Sequence, residues 1–143
     1  MSSIVFLLKR KQPAAISLCQ ELLHYLKQRE QEAVVIHNQE LPVAFPLIEE
    51  KEFPHDAKFL VILGGDGTLL YGAGLLQGRD IPILGVNLGH LGFLATCPPS
   101  KALLTLQQAL SDKLNIEERS KLDCKVYRQI DGQRNRQILF ERH

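Results

Sequence analysis

The sequence predicts an α/β protein with a doubly wound parallel sheet, followed by the first hairpin of a truncated β-rich domain. Short apolar runs such as residues 59–63 predict strands that are buried on both faces, as in a parallel sheet. Segments with helical spacing of apolar residues separate these runs, as parallel crossover connections require. From about residue 115 the pattern changes to an alternation of apolar and polar residues, which indicates a different architecture.

The first half of the chain supplies two strands and one long helix. Residues 3–8 and 33–36 are apolar and predict strands. Pro13 suits the first turn of a helix that runs to about residue 30 and buries Ile16, Cys19, Leu22, Leu23 and Leu26. Residues 38–57 contain three prolines, which exclude a long element, and residues 48–53 predict a short helical turn.

A glycine-rich turn follows the strand at residues 59–63 and precedes a helix from Thr68 to near Gly78. The turn, residues 64–68, reads Gly-Gly-Asp-Gly-Thr. Strand, glycine turn and helix form a geometry that binds phosphate, because N–H groups at a helix N-terminus attract anions. Asp66 places a carboxylate there, which repels a bare polyphosphate. The carboxylate can accept a proton from a hydroxyl that attacks phosphorus, or engage Mg²⁺ on the polyphosphate; the plainer alternative is that it caps the helix.

A second glycine-containing stretch, residues 85–95, leaves the strand predicted at residues 82–87. Ligands bind at the carboxyl ends of strands in open α/β sheets, so Phe93 can pack against a flat ring such as adenine. Alternatively, Phe93 and its neighbouring leucines seal the sheet, and His90 is an ordinary loop histidine. The basic run at residues 9–11 predicts a solvated loop after the first strand, with a phosphate-facing role as the alternative.

The C-terminal part predicts one more helix and then a hairpin. Residues 100–114 are amphipathic, with Ser100 as the expected cap. Asp131 and Gly132 form a hairpin turn signal, and residues 136–140 are the expected return strand. We therefore predict an α/β domain at residues 1–114 and the start of a β-rich domain at residues 115–143.

The bulk properties favour a cytoplasmic globular protein. The 143 residues are 45% hydrophobic and 23% charged, with a net charge of +1, so we expect neither nucleic acid nor membrane as a partner. The three cysteines form no CxxC pair, which suits a reducing compartment. The apolar residues 4–8 precede their basic residues instead of following them, so they do not resemble a signal peptide.

Taken together, the two glycine-containing stretches resemble the NAD kinases. Residues 64–68 resemble that family's GGDGT motif, and residues 85–94, Gly-Val-Asn-Leu-Gly-His-Leu-Gly-Phe-Leu, resemble its second signature, which ends in LGFL. Diacylglycerol kinases, sphingosine kinases and phosphofructokinases carry turns similar to the first motif. The second stretch is what singles out the NAD kinases.

The resemblance implies a reaction and a set of site residues. A terminal phosphoryl group passes to the 2′-hydroxyl of the adenosine ribose of NAD, giving NADP, with Asp66 as the proton acceptor. Gly67 is implied to lie against the dinucleotide with Thr68 close by, and Phe93 and Leu94 to line the adenine side of the pocket. The implied donor is ATP or polyphosphate with Mg²⁺ or another divalent cation, the acceptor NAD or NADH, and the complete protein a homo-oligomer.

Two departures from the family pattern qualify what the resemblance implies. Tyr71 stands where many members carry a basic residue. The family's asparagine–acid motif, expected in the C-terminal domain, does not occur in the chain, so we expect the chain alone to show little or no kinase activity. The alternatives are a kinase of a lipid or sugar with the same glycine turn, or a non-catalytic nucleotide-binding remnant. A dehydrogenase domain is disfavoured because the first βα turn has no GxGxxG.

Overall fold

The computed structural model describes residues 2–90, 92–111, 128–130 and 133–135, and confirms the doubly wound α/β fold. Five parallel strands form one sheet in the order β3-β2-β1-β4-β5. These strands are, in chain order, β1 (Ile4–Leu8), β2 (Ala33–Ile36), β3 (Leu47–Ile48), β4 (Phe59–Gly64) and β5 (Ile83–Asn87). Because β1 lies at the centre, successive connections move first toward one edge of the sheet and then toward the other.

The helices cover both faces of the sheet, and this is why its central strands are apolar throughout. Helices α1 (Pro13–Gln28) and α3 (Ala102–Leu110) pack on the face that carries Ile4 and Phe6, whereas α2 (Asp66–Leu75) packs on the face that carries Val5 and Leu7. A strand with both faces covered loses the alternation of apolar and polar residues that a half-exposed strand shows. Cys19, on the buried face of α1, is fully buried, as its spacing predicts.

Helix α2 lies close to the sheet because Gly72 faces it. A Cβ atom at this position would lie 2.6 Å from Ile62 Cδ1, which is too close, and 3.1 Å from Leu7 Cδ2, which is a tight contact. The close approach fixes the height of α2 above β4. It therefore also fixes where the N-terminus of this helix emerges at the carboxyl edge of the sheet.

The carboxyl ends of β1 and β4 meet at the point where the winding direction reverses. Leu8 pairs with Leu63, and the backbone N–H of Lys9 donates to the carbonyl oxygen of Leu63 at 2.9 Å. Helix α1 then leaves toward one face and α2 toward the other. Such switch points open a crevice outside the strand ends, where ligands bind in open α/β sheets.

The structure corrects one prediction, confirms a second and adds one strand. Ser100 is not the cap of the last helix: it lies inside a 3₁₀ turn at Pro99–Lys101, and α3 begins at Ala102. The predicted helical turn is a 3₁₀ turn at Glu50–Glu52. The unpredicted strand β3 has two residues, too few to show a pattern, and it forms because β2 offers it an open edge. None of the described helices has both the length and the apolar character needed to cross a bilayer.

A separate hairpin pairs β6 (Arg128–Ile130) with β7 (Gln133–Asn135) in antiparallel register. Ile130 lies opposite Gln133, on either side of the predicted turn residues Asp131 and Gly132, which themselves lie outside the described residues. The return strand includes Gln133–Asn135 and so begins before the predicted residue 136. The predicted strand residues 122–127 and 136–140 lie outside the described residues, and the second domain at 115–143 stays a prediction.

Candidate active site

A cleft of about 440 Å³ lies at the carboxyl ends of β1, β4 and β5, at the switch point of the sheet. We call it the Asp66 cleft. Backbone and short side chains from the two predicted glycine-containing stretches form most of its wall. Its lining residues are Lys9, Gln12, Gly64, Gly65, Asp66, Gly67, Thr68, Asn87, Leu88, Gly89 and His90. The structure thus brings the two stretches together, although residues 69–84 separate them in sequence.

The turn after β4 is tight because neighbouring groups crowd Gly64. A Cβ atom at Gly64 would lie 2.7 Å from Thr68 Oγ1 and 2.9 Å from Lys9 Cβ. Gly65 is the cap residue of α2 and has no side chain to cover the helix N-terminus. Gly67 and Thr68 follow in the first turn and line the cleft. The first turn of α2 is consequently open to a ligand in the cleft.

The carboxylate of Asp66 binds the backbone of the second stretch. Two amides donate to Oδ1, from Leu94 at 3.1 Å and Ala95 at 2.9 Å, and the amide of Phe93 donates to Oδ2 at 2.9 Å. The interpretation of Asp66 as a plain helix cap is therefore wrong: the residue is the first of the helix, and these amides lie 27 to 29 residues further along the chain. One carboxylate joins the two glycine-containing stretches.

Asn87 fixes the near end of this loop. Its side chain is buried, with Oδ1 accepting from the Gly89 amide at 2.9 Å and Nδ2 donating to the His90 carbonyl at 2.5 Å. The Leu88 amide donates to the Gly64 carbonyl at 2.7 Å, which ties the loop to the end of β4. The loop after β5 is thereby fixed in position relative to the glycine turn on the other side of the cleft.

The far end of the loop returns to β5. The Asn87 amide donates to the Cys97 carbonyl at 2.8 Å, and the Cys97 amide donates to the Gly85 carbonyl at 3.2 Å. Ala95 packs on Gly85, where a Cβ atom would lie 3.1 Å from Ala95 Cα. The loop is therefore attached at both ends and, through Asp66, in its middle.

Phe93 is held by its backbone and leaves its ring in solvent. The residue is 89% exposed, although its amide is bonded to Asp66. The alternative in which Phe93 seals the sheet is therefore wrong. Leu94 is half-buried beside it. An exposed aromatic ring on a fixed backbone is a surface onto which a flat apolar group can stack.

Comparison with known proteins agrees with this architecture. Residues 47–114 match the family model of the ATP-NAD kinase N-terminal domain. The NAD kinase of Syntrophobacter fumaroxidans is 34% identical over 129 residues, which cover 90% of this chain and 46% of that protein. The NAD kinase of Geobacter metallireducens is 36% identical over 131 residues, which cover 92% of this chain and 46% of that protein. Over nine-tenths of its length the chain is similar to the NAD kinases.

The chain spans about half the length of the NAD kinases it matches. Its fold is also similar to the crystal structure of yeast NADH kinase complexed with NADH. That similarity has a TM-score of 0.71 at 21% identity and covers 94% of this chain and 45% of the yeast chain. The likeness extends the fold assignment beyond the residues of the family match.

Tyr71, which stands where many NAD kinases carry a basic residue, points away from the core. It is 53% exposed, and its hydroxyl donates a hydrogen bond to the carboxylate of Glu50. This hydrogen bond and partial burial raise the pKa of Tyr71 above its ordinary value, with Arg10 acting in the opposite direction. Tyr71 is therefore a surface residue of α2 and does not pack in the core.

The basic run after β1 divides between two clefts. Lys9 and Arg10 are both exposed, as expected for a solvated loop, but Lys9 lines the Asp66 cleft and Arg10 lines a neighbouring one. His90 is also exposed at the rim. Within the part of the chain that the structure describes, no three His, Cys, Asp or Glu side chains are grouped so that they could hold a metal.

Proposed function

We propose that this chain supplies the catalytic wall of an NAD kinase, which transfers the terminal phosphoryl group of ATP to the 2′-hydroxyl of the adenosine ribose of NAD. The observation that carries the proposal is the position of Asp66. It joins the glycine turn and the second family signature at the switch point, next to an open helix N-terminus. The names of the relatives in Syntrophobacter and Geobacter support the choice of acceptor.

Asp66 is the proposed proton acceptor. The 2′-oxygen forms a bond to the terminal phosphorus, the bond from that phosphorus to the bridging oxygen breaks, and ADP leaves with the electron pair. The hydroxyl proton passes to the Asp66 carboxylate. Because the transition state of phosphoryl transfer is loose, orientation of the hydroxyl contributes more than base strength. A carboxylate held by backbone amides suits that task, since the amides fix its direction.

The other proposed contacts come from the Asp66 cleft and from Phe93 and Leu94, which follow its lining residues on the same loop but are not among them. Gly67 lies against the dinucleotide and Thr68 stands beside it in the first turn of α2. Phe93 and Leu94 line the adenine side, supported by the exposure of the Phe93 ring. Lys9, whose Cβ atom lies beside Gly64, lines the cleft and offsets phosphate charge there.

Mg²⁺ fits this site as a part of the nucleotide substrate. Mg²⁺ keeps several waters and is commonly bound by substrate phosphates with one or two carboxylates. The described residues offer the single carboxylate of Asp66 in the cleft and no ready-made cage, which agrees with a cation delivered on the polyphosphate. The bound cation would offset the charge of the phosphates.

The remaining parts of the proposal concern the whole protein. A second domain supplies the opposite wall of the cleft, so the 143-residue chain alone forms NADP slowly or not at all, because half a cleft positions its substrates poorly. Polyphosphate as donor and NADH as acceptor stay open as alternatives. We further propose a cytoplasmic homo-oligomer that acts on small molecules and binds neither nucleic acid nor membrane, in keeping with a net charge of +1.

NADP formation with NAD, ATP and Mg²⁺ tests the proposal. The assay is run on the chain alone and on a chimera extended with the second half of the Syntrophobacter relative, each with and without Asp66→Asn. We expect activity in the chimera and a loss of about 10²-fold or more with Asp66→Asn. Asp56→Asn, the same change at an exposed site outside the cleft, is the matched control.

Three outcomes would each contradict a part of the proposal. An active chimera that retains full activity with Asp66→Asn would exclude Asp66 as the proton acceptor. A folded chimera that phosphorylates a sugar or lipid but never NAD would show that the acceptor is wrong. NADP formation by the chain alone at the rate of the chimera would refute the proposed need for a second wall.

A further inference from the structure

The three hydrogen bonds of Asp66 require a close approach that only one residue type allows. Gly92 lies directly before the donating amides of residues 93–95. A Cβ atom at Gly92 would lie 2.4 Å from Asp66 Oδ1 and 2.6 Å from both Cγ and Oδ2. These three distances are all shorter than real Cβ contacts. The three nearest atoms all belong to the carboxyl group of Asp66.

We propose that Gly92 is a positioning residue for Asp66: its missing side chain lets the amides of residues 93–95 close on the carboxylate and fix its orientation. The geometric part of this proposal stands on the contacts above. Its consequence for phosphoryl transfer rests on the proposed function of Asp66. The two stretches then act together, because the loop after β5 orients the carboxylate that follows β4.

The contacts at Gly92 set a demand for space: a Cβ atom there meets the Asp66 carboxyl group at 2.4–2.6 Å, so an alanine is excluded by contact. Gly89, three residues earlier in the same loop, has Asn87 Oδ1 at 3.9 Å as its nearest neighbour and has room for a Cβ atom.

The loop cannot easily move aside to relieve the contact. Its near end is held by the Asn87 side chain and its far end by the backbone bonds between Cys97 and β5. Ala95 is fully buried against Gly85, which leaves no space behind the loop. A side chain at position 92 must therefore displace the Asp66 carboxyl group, which breaks the hydrogen bonds that orient it.

Amide hydrogen exchange measured by NMR on the chain tests the geometric part without any assay of activity. In the unmodified protein we expect the amides of Phe93, Leu94 and Ala95 to be protected. Gly92→Ala should speed their exchange at least about tenfold, in proportion to the lost hydrogen bonds. Gly89→Ala, the matched change in the same loop, should leave these amides protected. Retained protection in Gly92→Ala would overturn the proposal.

A double-mutant cycle decides the case even if Gly92→Ala alone folds poorly. Asp66→Ala removes the three atoms that conflict with a Cβ at position 92. The unfolding equilibrium constant should therefore rise much less when Gly92→Ala is added to Asp66→Ala than when it is added to the unmodified protein. An equal rise in both backgrounds, or failure of both Gly92→Ala proteins to fold while Asp66→Ala folds, would overturn the proposal.

Activity of the chimera described above separates positioning from a general structural effect. Gly92→Ala should lower kcat by about 10²-fold with a smaller change in KM, because the carboxylate is misdirected. If the exchange and cycle results hold but the chimera never forms NADP, the proposed function fails and the geometry stands. If Gly92→Ala releases the amides but kcat is unchanged, the positioning role fails and the proposed function stands.

Discussion

Two clefts lie along the carboxyl edge of the same sheet, and they are built differently. The Asp66 cleft has a volume of about 440 Å³, whereas its neighbour, the His37 cleft, has about 520 Å³. Backbone, glycines and short side chains line the first. Long polar side chains line most of the His37 cleft. Its lining residues are Arg10, His37, Asn38, Gln39, Glu49, Glu50 and Lys51.

The difference teaches that organisation, and not volume, marks the candidate active site. In the Asp66 cleft the carboxylate accepts three backbone amides and the loop is tied at both ends. In the His37 cleft, the His37 and Glu49 side chains are 42% and 61% exposed and approach to 3.7 Å, a pair that water screens. A site that must hold reacting groups in place needs the first kind of wall.

The largest expected difference between the clefts comes from removing one carboxylate from each. Asp66→Ala leaves three amides without their acceptor, so we expect the free energy of unfolding to fall by about 2–3 kcal/mol. Glu50→Ala removes an exposed side chain whose partner is the Tyr71 hydroxyl, and should cost less than about 1 kcal/mol. Urea unfolding of both variants measures this. Equal losses would show that the Asp66 cleft is not the more organised one.

A smaller difference is expected for the two buried asparagines, one at each cleft. Asn87 makes two side-chain hydrogen bonds, to Gly89 and His90, and its replacement by alanine should cost about 1–2 kcal/mol. Asn38 accepts one, from the Glu40 amide at 2.9 Å, so Asn38→Ala should cost about 1 kcal/mol or less. Urea unfolding again provides the free energies.

The two asparagine variants also test what holds the loop after β5 in place. Asn87→Ala should raise amide exchange at residues 93–95 because it frees the near end of the loop, whereas Asn38→Ala should not. If Asn38→Ala loosened the Asp66 cleft as much as Asn87→Ala, the two clefts would have to be treated as one unit.

The sequence predicts the sheet well because its central strands are long apolar runs. Four of the five parallel strands and all three helices appear near their predicted positions, since burial on both faces imposes a pattern that sequence displays. Strand β3 was not predicted because its two residues are too few to show a periodic pattern. They also follow directly after Pro46. Its existence depends on an open edge of β2, which is a tertiary property.

The candidate site was predictable in its residues but not in its contacts. The glycine turn and the second stretch stand out in the sequence, and the fold places both at the switch point. The hydrogen bonds of Asp66 cannot be predicted from the sequence. Its partners are backbone amides, and almost every residue has a backbone amide. Gly92 was visible as a glycine, but its role depends on where the Asp66 carboxyl group lies.

The smallest expected effect concerns a pKa at the border of the His37 cleft. The hydrogen bond to Glu50 and partial burial raise the pKa of Tyr71. The phenol therefore stays protonated at a pH where a free tyrosine ionises. Since the folded pKa is the higher one, the contribution of this contact to stability is complete below the ordinary tyrosine pKa and is lost as the pH rises through the folded value.

Phenolate absorbance at 295 nm, titrated upward, measures this pKa. Subtracting the curve of Tyr71→Phe isolates Tyr71 from the other two of the three tyrosines in the chain. Glu50→Gln should move the midpoint back toward the ordinary value, because it removes both the hydrogen-bonded carboxylate and its charge. Asp66→Asn, in the neighbouring cleft, should leave the midpoint where it is. If the midpoint shifted in Asp66→Asn but not in Glu50→Gln, the charge that controls the pKa of Tyr71 would lie in the Asp66 cleft, and the predicted separation of the two clefts would be wrong.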